Sequence, residues 1–170
     1  MSIRIFITGG TFDKEYDEIT GKLFFNKTHI REMLELGRSK VDVNVSTLMM
    51  KDSLEMQSSD RELIVDNCTN AKENQIIITH GTDTMTTTAN EIADANIDKV
   101  IVLTGAMIPY KFGSSDGLFN LGGAIGFVQS LKHINYDVKN KKVFILGAGG
   151  VAPSIIVSLK RLGASQIIIS

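Results

Sequence analysis

Three short apolar runs, each emptying into a polar turn that carries glycine, set the architecture this chain can adopt. Ile5-Phe6-Ile7-Thr8 leads into Gly9-Gly10-Thr11-Phe12, Gln75-Ile76-Ile77-Ile78-Thr79 into His80-Gly81-Thr82-Asp83, and Val100-Ile101-Val102-Leu103 into Thr104-Gly105-Ala106. Short uninterrupted apolar runs read as interior strands of a parallel sheet, buried on both faces. Glycine permits the sharp turn that must follow. In open α/β sheets the carboxyl ends of the strands are where ligands bind, so three parallel neighbours would bring the three polar turns to one crevice.

The rest of the chain alternates strand and helix. A first strand over Ile3 to Thr8 is followed by a long polar connection, Gly9 to Lys27, which holds Tyr16 and a hairpin pattern over Asp17 to Phe25. Connections of that length are uncommon in compact domains and are often lids. Thr28 is placed to cap a short helix with Ile30, Met33 and Leu34 on one face, stopped by Gly37. A second strand is expected over Val41 to Thr47, then a loop to Ser58, and Ser59-Asp60-Arg61-Glu62 has capping-box spacing for a helix reaching about Lys72. Asp83 can cap the next helix, with Met85, Thr88, Ala89, Ile92 and Ala93 at helical spacing. Asp116 opens another, and a last unit follows: strand from Lys142 to Leu146, turn Gly147 to Gly150, helix Pro153 to Leu162, strand Gln166 to Ile169. This alternation predicts one α/β domain over residues 1–170, a doubly wound, mostly parallel sheet with helices on both faces in three layers.

Composition narrows the function classes. Eighteen basic against nineteen acidic side chains give no field to gather nucleic acid or an anionic membrane, leaving small neutral or zwitterionic ligands. A single cysteine, Cys68, makes no internal disulfide, and no apolar run approaches the ~20 residues that span a bilayer. Met1-Ser2-Ile3-Arg4 runs straight into the first strand with no leader pattern, so a reducing cytoplasm is the expected compartment.

Each polar turn has a plain structural reading beside a chemical one. Threonine is a weak nucleophile until a base removes its proton, so Gly10-Thr11 can be an ordinary turn or a nucleophile site. Asp83 can be a helix cap, or a carboxylate that holds a substrate ammonium group. His80, with no partner to name, reads as structural, and Lys14, Glu15, Asp17 and Glu18 as the solvated face of a loop.

Taken together, Thr8-Gly9-Gly10-Thr11-Phe12, Thr79-His80-Gly81-Thr82-Asp83-Thr84-Met85, Leu103 to Pro109 and Ser114-Ser115-Asp116-Gly117-Leu118-Phe119-Asn120-Leu121 resemble the signature blocks of the bacterial-type L-asparaginase family, amino-terminal domain, over about Ile3 to Ile125. The resemblance implies hydrolysis of a side-chain amide, asparagine to aspartate and ammonia, through an acyl-threonine and with no metal or organic cofactor. It implies Thr11 as the nucleophile and Tyr16 as the tyrosine that helps activate it. Thr82 matches the second-site threonine, Asp83 the carboxylate that grips the substrate's α-ammonium, and Ser53 the serine that binds its α-carboxylate. Backbone amides around Gly10, Thr11 and Thr82 are then candidates for stabilising the tetrahedral oxyanion. Family members work as dimers or tetramers, which implies a homodimer here.

Two departures accompany the match. The family's activating lysine follows the Asp-Gly helix, and Lys132, Lys139, Lys141 and Lys142 do not fall in its motif; nor do 170 residues accommodate the family's smaller second domain. Instead, residues 127–170, and most clearly Asn135 to Ser154, resemble the NADP-binding start of shikimate dehydrogenase. Gly147, Gly149 and Ala152 satisfy Gly-x-Gly-x-x-Gly/Ala between a strand and a helix, the setting that places a pyrophosphate at a helix N-terminus. The ribose-reading residue is expected ~20 residues on, where the sequence reaches Ser170. The favoured expectation is therefore a Rossmann-type strand-helix-strand that completes the sheet and binds no cofactor, with NADP binding as the alternative. An amino-acid-binding module without turnover is the other alternative.

Overall fold

The structure is a computed structural model, and it describes residues 2–133, 142–145 and 166–169. Four parallel strands, β1 (Ile3–Gly9), β4 (Val43–Lys51), β5 (Gln75–Thr79) and β6 (Val100–Thr104), form the central sheet in the order β4-β1-β5-β6. Between β1 and β4 lie an antiparallel hairpin of β2 (Lys14–Asp17) and β3 (Lys22–Phe25) and the helix α1 (Ile30–Leu36). Helices α2 (Ser58–Asn70), α3 (Met85–Asp94) and α4 (Gly117–His133) follow β4, β5 and β6.

Period-two alternation along the strands divides the core. Ile3, Ile5, Ile7 and Ile77 face α1 and α4, packing with Ile30, Met33, Leu121, Ala124 and Val128. Phe6, Ile76, Ile78 and Leu103 face the other way, onto Ile64 and Cys68 of α2 and Met85 and Ile92 of α3. Helices thus cover both faces, and the expected three-layer, doubly wound architecture is what the chain adopts. β5 is buried along its whole length, as a central parallel strand should be.

The strand order also fixes where a ligand can sit. The chain leaves β1 to place β4 on one side, then crosses to place β5 on the other, so the order reverses between β1 and β5. Such a reversal splays the connections apart at the carboxyl ends and opens a crevice there. The turns entering that crevice are Gly10-Thr11 and Gly81-Thr82.

Several local expectations need correction. The second sheet strand runs over Val43–Lys51, later than Val41 to Thr47, because parallel pairing with β1 carries it to a Gly9–Lys51 register. The cap of α2 is built on Gln57, whose N–H is accepted by Asp60 at 2.9 Å; Ser59 already lies inside the helix. Asp83 is not a cap, since Thr84 holds the N-cap position of α3 and no side chain caps it. At α1 the N-cap is His29, with Thr28 Oγ1 accepting the Ile30 N–H at 3.3 Å. Gly37 sits in ordinary right-handed geometry, and Arg38 takes the left-handed residue position after the helix (φ 51°).

Strands β7 (Lys142–Ile145) and β8 (Gln166–Ile169) pair in parallel with each other as a two-stranded sheet. The turn and helix expected between them, with Gly147, Gly149 and Ala152, lie outside the described residues.

Candidate functional site

Hydrogen bonds stitch the four strand ends together from edge to edge. Gly10 N–H donates to the Lys51 carbonyl at 3.0 Å, Thr8 Oγ1 to the Thr79 carbonyl at 2.7 Å, and His80 N–H to the Thr104 carbonyl at 2.9 Å. The tips can then approach only where side chains are absent. At Gly10, which has φ 78°, an added Cβ would stand 2.5 Å from Gly81 N and 2.7 Å from Gly81 Cα, so the two turns touch backbone to backbone.

Thr11 follows Gly10 at the head of a short 3-10 turn, Thr11–Asp13. It is half-buried, and the next two residues anchor it: Phe12 is wholly within the core, and the buried Asp13 carboxylate accepts the His29 N–H at 2.9 Å. Burial raises the Asp13 pKa, an effect only partly offset by the bonds from His29 and Thr28.

On the second tip, Thr82 is half-buried and Asp83 exposed. Thr82 Oγ1 donates weakly to Met107 Sδ at 3.8 Å, so the third tip is in contact too; a Cβ at Gly105 would lie 3.1 Å from Thr82 Cγ2. That third loop is held by Asp116, whose carboxylate accepts the Met107 and Ile108 N–H groups at 3.0 to 3.1 Å, and by Asn120, which donates to the Gly105 carbonyl at 2.8 Å. Burial acts to raise the Asp116 pKa, but these backbone donors outweigh it and the carboxyl is held below its ordinary value. The residues were legible in the sequence only as part of a motif; their holding role was not.

Ser53 enters from the end of β4, in the 3-10 turn Ser53–Glu55. It is 1% exposed, its hydroxyl has no hydrogen-bond partner, and a Cβ on Gly81 would lie 2.6 Å from Ser53 Oγ. A buried hydroxyl without a partner is costly, and this one sits against the second tip. Lys14 pairs with Asp52 next door, so Asp52 is held well below the usual carboxylate range, first by that bond.

Gly10, Thr11, Ser53, Thr82 and Asp83 therefore stand on segments in direct contact. Tyr16 does not join them through its hydroxyl. It lies on β2 opposite Leu23, 52% exposed, and a Cβ on Gly21 would be 3.8 Å from its hydroxyl. The base of the hairpin lies against His29. Glu15 Oε1 is 3.1 Å from His29 Nε2, and Glu32 Oε2 is 3.7 Å from Nδ1, close but not aligned as hydrogen bonds. Glu32 in turn accepts from Tyr110 and Lys111 at 3.3 and 3.2 Å.

His80 is structural, as its isolated position in sequence suggested. It is fully buried, with Nδ1 2.8 Å from the Gly81 carbonyl and Nε2 2.8 Å from Thr88 Oγ1. The carbonyl can only accept, so Nδ1 carries the proton and Nε2 accepts from Thr88. Burial first, then the charge of Arg61, lowers the His80 pKa, against the bond to Gly81. The unfolded chain therefore takes up the proton first as pH falls below 6.5, and stability present above that value is lost on acidification. Denaturant unfolding at neutral pH and at about pH 5 should show a smaller acid loss in His80→Gln than in the parent; equal losses would contradict this placement.

Among the described residues no cluster of His, Cys, Asp or Glu is arranged to hold a metal, and no helix is long and apolar enough to cross a membrane.

A doubly wound sheet with two hydroxyl-bearing tips at its switch point defines a small-ligand α/β domain. Comparison with known proteins makes it specific: residues 2–150 match the family model described as "Asparaginase, N-terminal", and the chain belongs to that family. The match runs past Ile125, into the segment expected to be Rossmann-like. L-asparaginase I from Vibrio cholerae superposes with a TM-score of 0.59 at 28% identity, over 71% of this chain and 38% of that one. The thermostable L-asparaginase from Thermococcus kodakarensis gives 0.65 at 20% identity over 100% of this chain and 70% of its own, a likeness of fold alone. The glutaminase-asparaginase of Acinetobacter glutaminasificans is 42% identical over 74 residues, 43% of this chain and 21% of the relative.

Part of the chain is similar to shikimate dehydrogenases instead. The NADP(+) enzyme of Caldicellulosiruptor bescii is 28% identical over 126 residues, 74% of this chain and 39% of the relative, and that of Pelagibacter ubique is 51% identical over 45 residues, 26% of this chain and 17% of the relative. The chain thus spans about two fifths or less of the curated relatives it matches.

Proposed function

We propose that this protein is an asparaginase-type amidohydrolase acting on the side-chain amide of a small amino acid, with asparagine as the reference substrate. The observation that supports the proposal is the backbone contact between Gly10 and Gly81, which brings the turns carrying Thr11 and Thr82 together. Thr11 Oγ attacks the amide carbonyl, and the tetrahedral oxyanion is met by the backbone N–H groups of Thr11 and Thr82, the Gly10 N–H being held by the Lys51 carbonyl. Collapse breaks the C–N bond; the nitrogen takes the hydroxyl proton and leaves as ammonia. Water then hydrolyses the acyl ester, restoring Thr11 and releasing aspartate. Asp83 holds the α-ammonium and Ser53 the α-carboxylate. Tyr16 assists Thr11 once its side chain turns away from Gly21. The reading takes the protein as a cytoplasmic homodimer that needs no metal or organic cofactor.

Ammonia release from asparagine, with glutamine in parallel, tests it. Turnover is expected for asparagine, and Ser53→Ala should raise KM about tenfold with kcat little changed, since it removes a bond to a charged group. Absence of ammonia at any substrate concentration would defeat the proposal. Similarity to shikimate dehydrogenases supports a second reading, nicotinamide binding near Gly147, Gly149 and Ala152. Thermal shift with aspartate and with NADP separates them: a ligand at 100 times its Kd stabilises by ~2.7 kcal/mol, a shift expected from aspartate and not from NADP.

A further inference from the structure

Among the described residues, Met107 is the methionine that solvent reaches. Met33, Met56 and Met85 are buried, and Met49 and Met50 are half-buried against the two cores, whereas Met107 is 69% exposed. Its sulfur is nevertheless placed: Sδ lies 3.8 Å from the Thr82 hydroxyl, which donates to it. Thioether oxidation follows exposure, so of these methionines Met107 is the one an oxidant attacks first.

The backbone beneath this exposed side chain is pinned. Both Asp116 oxygens accept the Met107 N–H, at 3.0 and 3.1 Å, and Asp116 Oδ1 also accepts the Ile108 N–H at 3.1 Å. Ser115 Oγ donates to the Ile108 carbonyl at 2.6 Å, and Ala106, just before Met107, is buried in the core. On the other side Thr82 is confined through its methyl, since a Cβ on Gly105 would stand 3.1 Å from Thr82 Cγ2. Sulfur and hydroxyl are therefore held as neighbours.

A thioether is a weak acceptor, so this contact leaves the Thr82 proton available to other partners. A sulfoxide oxygen is a polar, strong acceptor, and a threonine hydroxyl has one proton to give. We propose that Met107 is a modification site at which a peroxide switches the crevice off: oxidised at Sδ, the side chain captures the Thr82 hydroxyl. The O–O bond of hydrogen peroxide breaks as a sulfur–oxygen bond forms; sulfur gives up two electrons and the remaining oxygen leaves as water. What is switched off rests on the amidohydrolase reading, whereas the oxidation and the capture do not.

Treatment of the protein with millimolar hydrogen peroxide, followed by peptide mass spectrometry and by ammonia release from asparagine, tests the proposal. Met107 should gain oxygen at least about tenfold faster than Met33, Met56 and Met85, in line with their burial. Turnover should fall about tenfold as Met107 sulfoxide accumulates, the size of one hydroxyl bond diverted from its task. Met107→Leu, close in volume, should start near the parent's turnover and keep it within about twofold under the same treatment. Methionine sulfoxide reductases A and B together should restore the oxidised parent. Met107 oxidised no faster than the buried methionines, turnover that survives complete Met107 oxidation, or a Met107→Leu protein inactivated like the parent overturns the inference. A structure of the oxidised protein decides it without turnover. The sulfoxide oxygen about 2.7 Å from Thr82 Oγ1 supports the switch even if asparagine yields no ammonia and the amidohydrolase reading falls; a sulfoxide turned away from Thr82 defeats it.

Discussion

Thr11→Ala is expected to lower kcat for asparagine by at least about a thousandfold, the usual cost of deleting a nucleophile, while the melting curve and aspartate binding stay close to the parent's. The separation follows from where Thr11 stands. Its side chain is half-buried at the crevice, while the turn that carries it is held by its neighbours: Phe12, wholly inside the core, and Asp13, bonded to the His29 N–H. Removing the hydroxyl and methyl therefore takes away chemistry and little packing. Residual turnover within about tenfold of the parent would place the nucleophile elsewhere.

Gly10→Ala is expected to be among the most damaging single methyl additions in the described structure. The new Cβ would meet Gly81 N at 2.5 Å, Gly81 Cα at 2.7 Å and the His80 carbonyl carbon at 2.8 Å, all backbone atoms that have no rotamer to escape into. Its φ of 78° adds strain for any side chain. Destabilisation of about 3 kcal/mol or more is expected in denaturant titration, with turnover lost in what remains folded. Gly122→Ala on α4 provides the contrast, because nothing lies within 4 Å of its Cβ. There the better helix propensity of alanine should be neutral or stabilising by up to about 1 kcal/mol. A Gly10→Ala protein within about 1 kcal/mol of the parent would mean that the tips of β1 and β5 do not touch.

The sheet was legible because burial on both faces leaves an uninterrupted apolar run, as in Ile76-Ile77-Ile78, and Val100 to Leu103 has the same apolar run although Val100, Ile101 and Val102 are only half-buried. Elements whose ends depend on tertiary pairing were less so. β4 extends to Lys51 because β1 continues beside it, a fact no local signal in Leu48-Met49-Met50 records. Capping was misread at Ser59 and Asp83 for a similar reason: several side chains in each stretch are competent caps, and three-dimensional context selects Gln57 with Asp60 at one and none at the other.

At the site, the glycines and hydroxyls were readable from their position after strands, whereas the groups that hold them were not. Asp116 and Asn120 bond backbone groups of the third loop from the start of α4. Arg61 looks in sequence like one more charge on a polar helix; its burial and its bond to Thr84, 23 positions away, appear only in three dimensions. Side-chain to backbone bonds of this kind leave almost no periodic trace.

A structure determined with L-aspartate bound is the decisive measurement. One aspartate is expected at the carboxyl ends of β1 and β5, with its α-ammonium about 3 Å from Asp83, its α-carboxylate at the Ser53 hydroxyl and its side-chain carboxyl within reach of both Thr11 and Thr82. Aspartate bound away from the Gly10–Gly81 contact, or bound there with Thr11 and Thr82 too far apart for one carboxyl group to touch both, would contradict it.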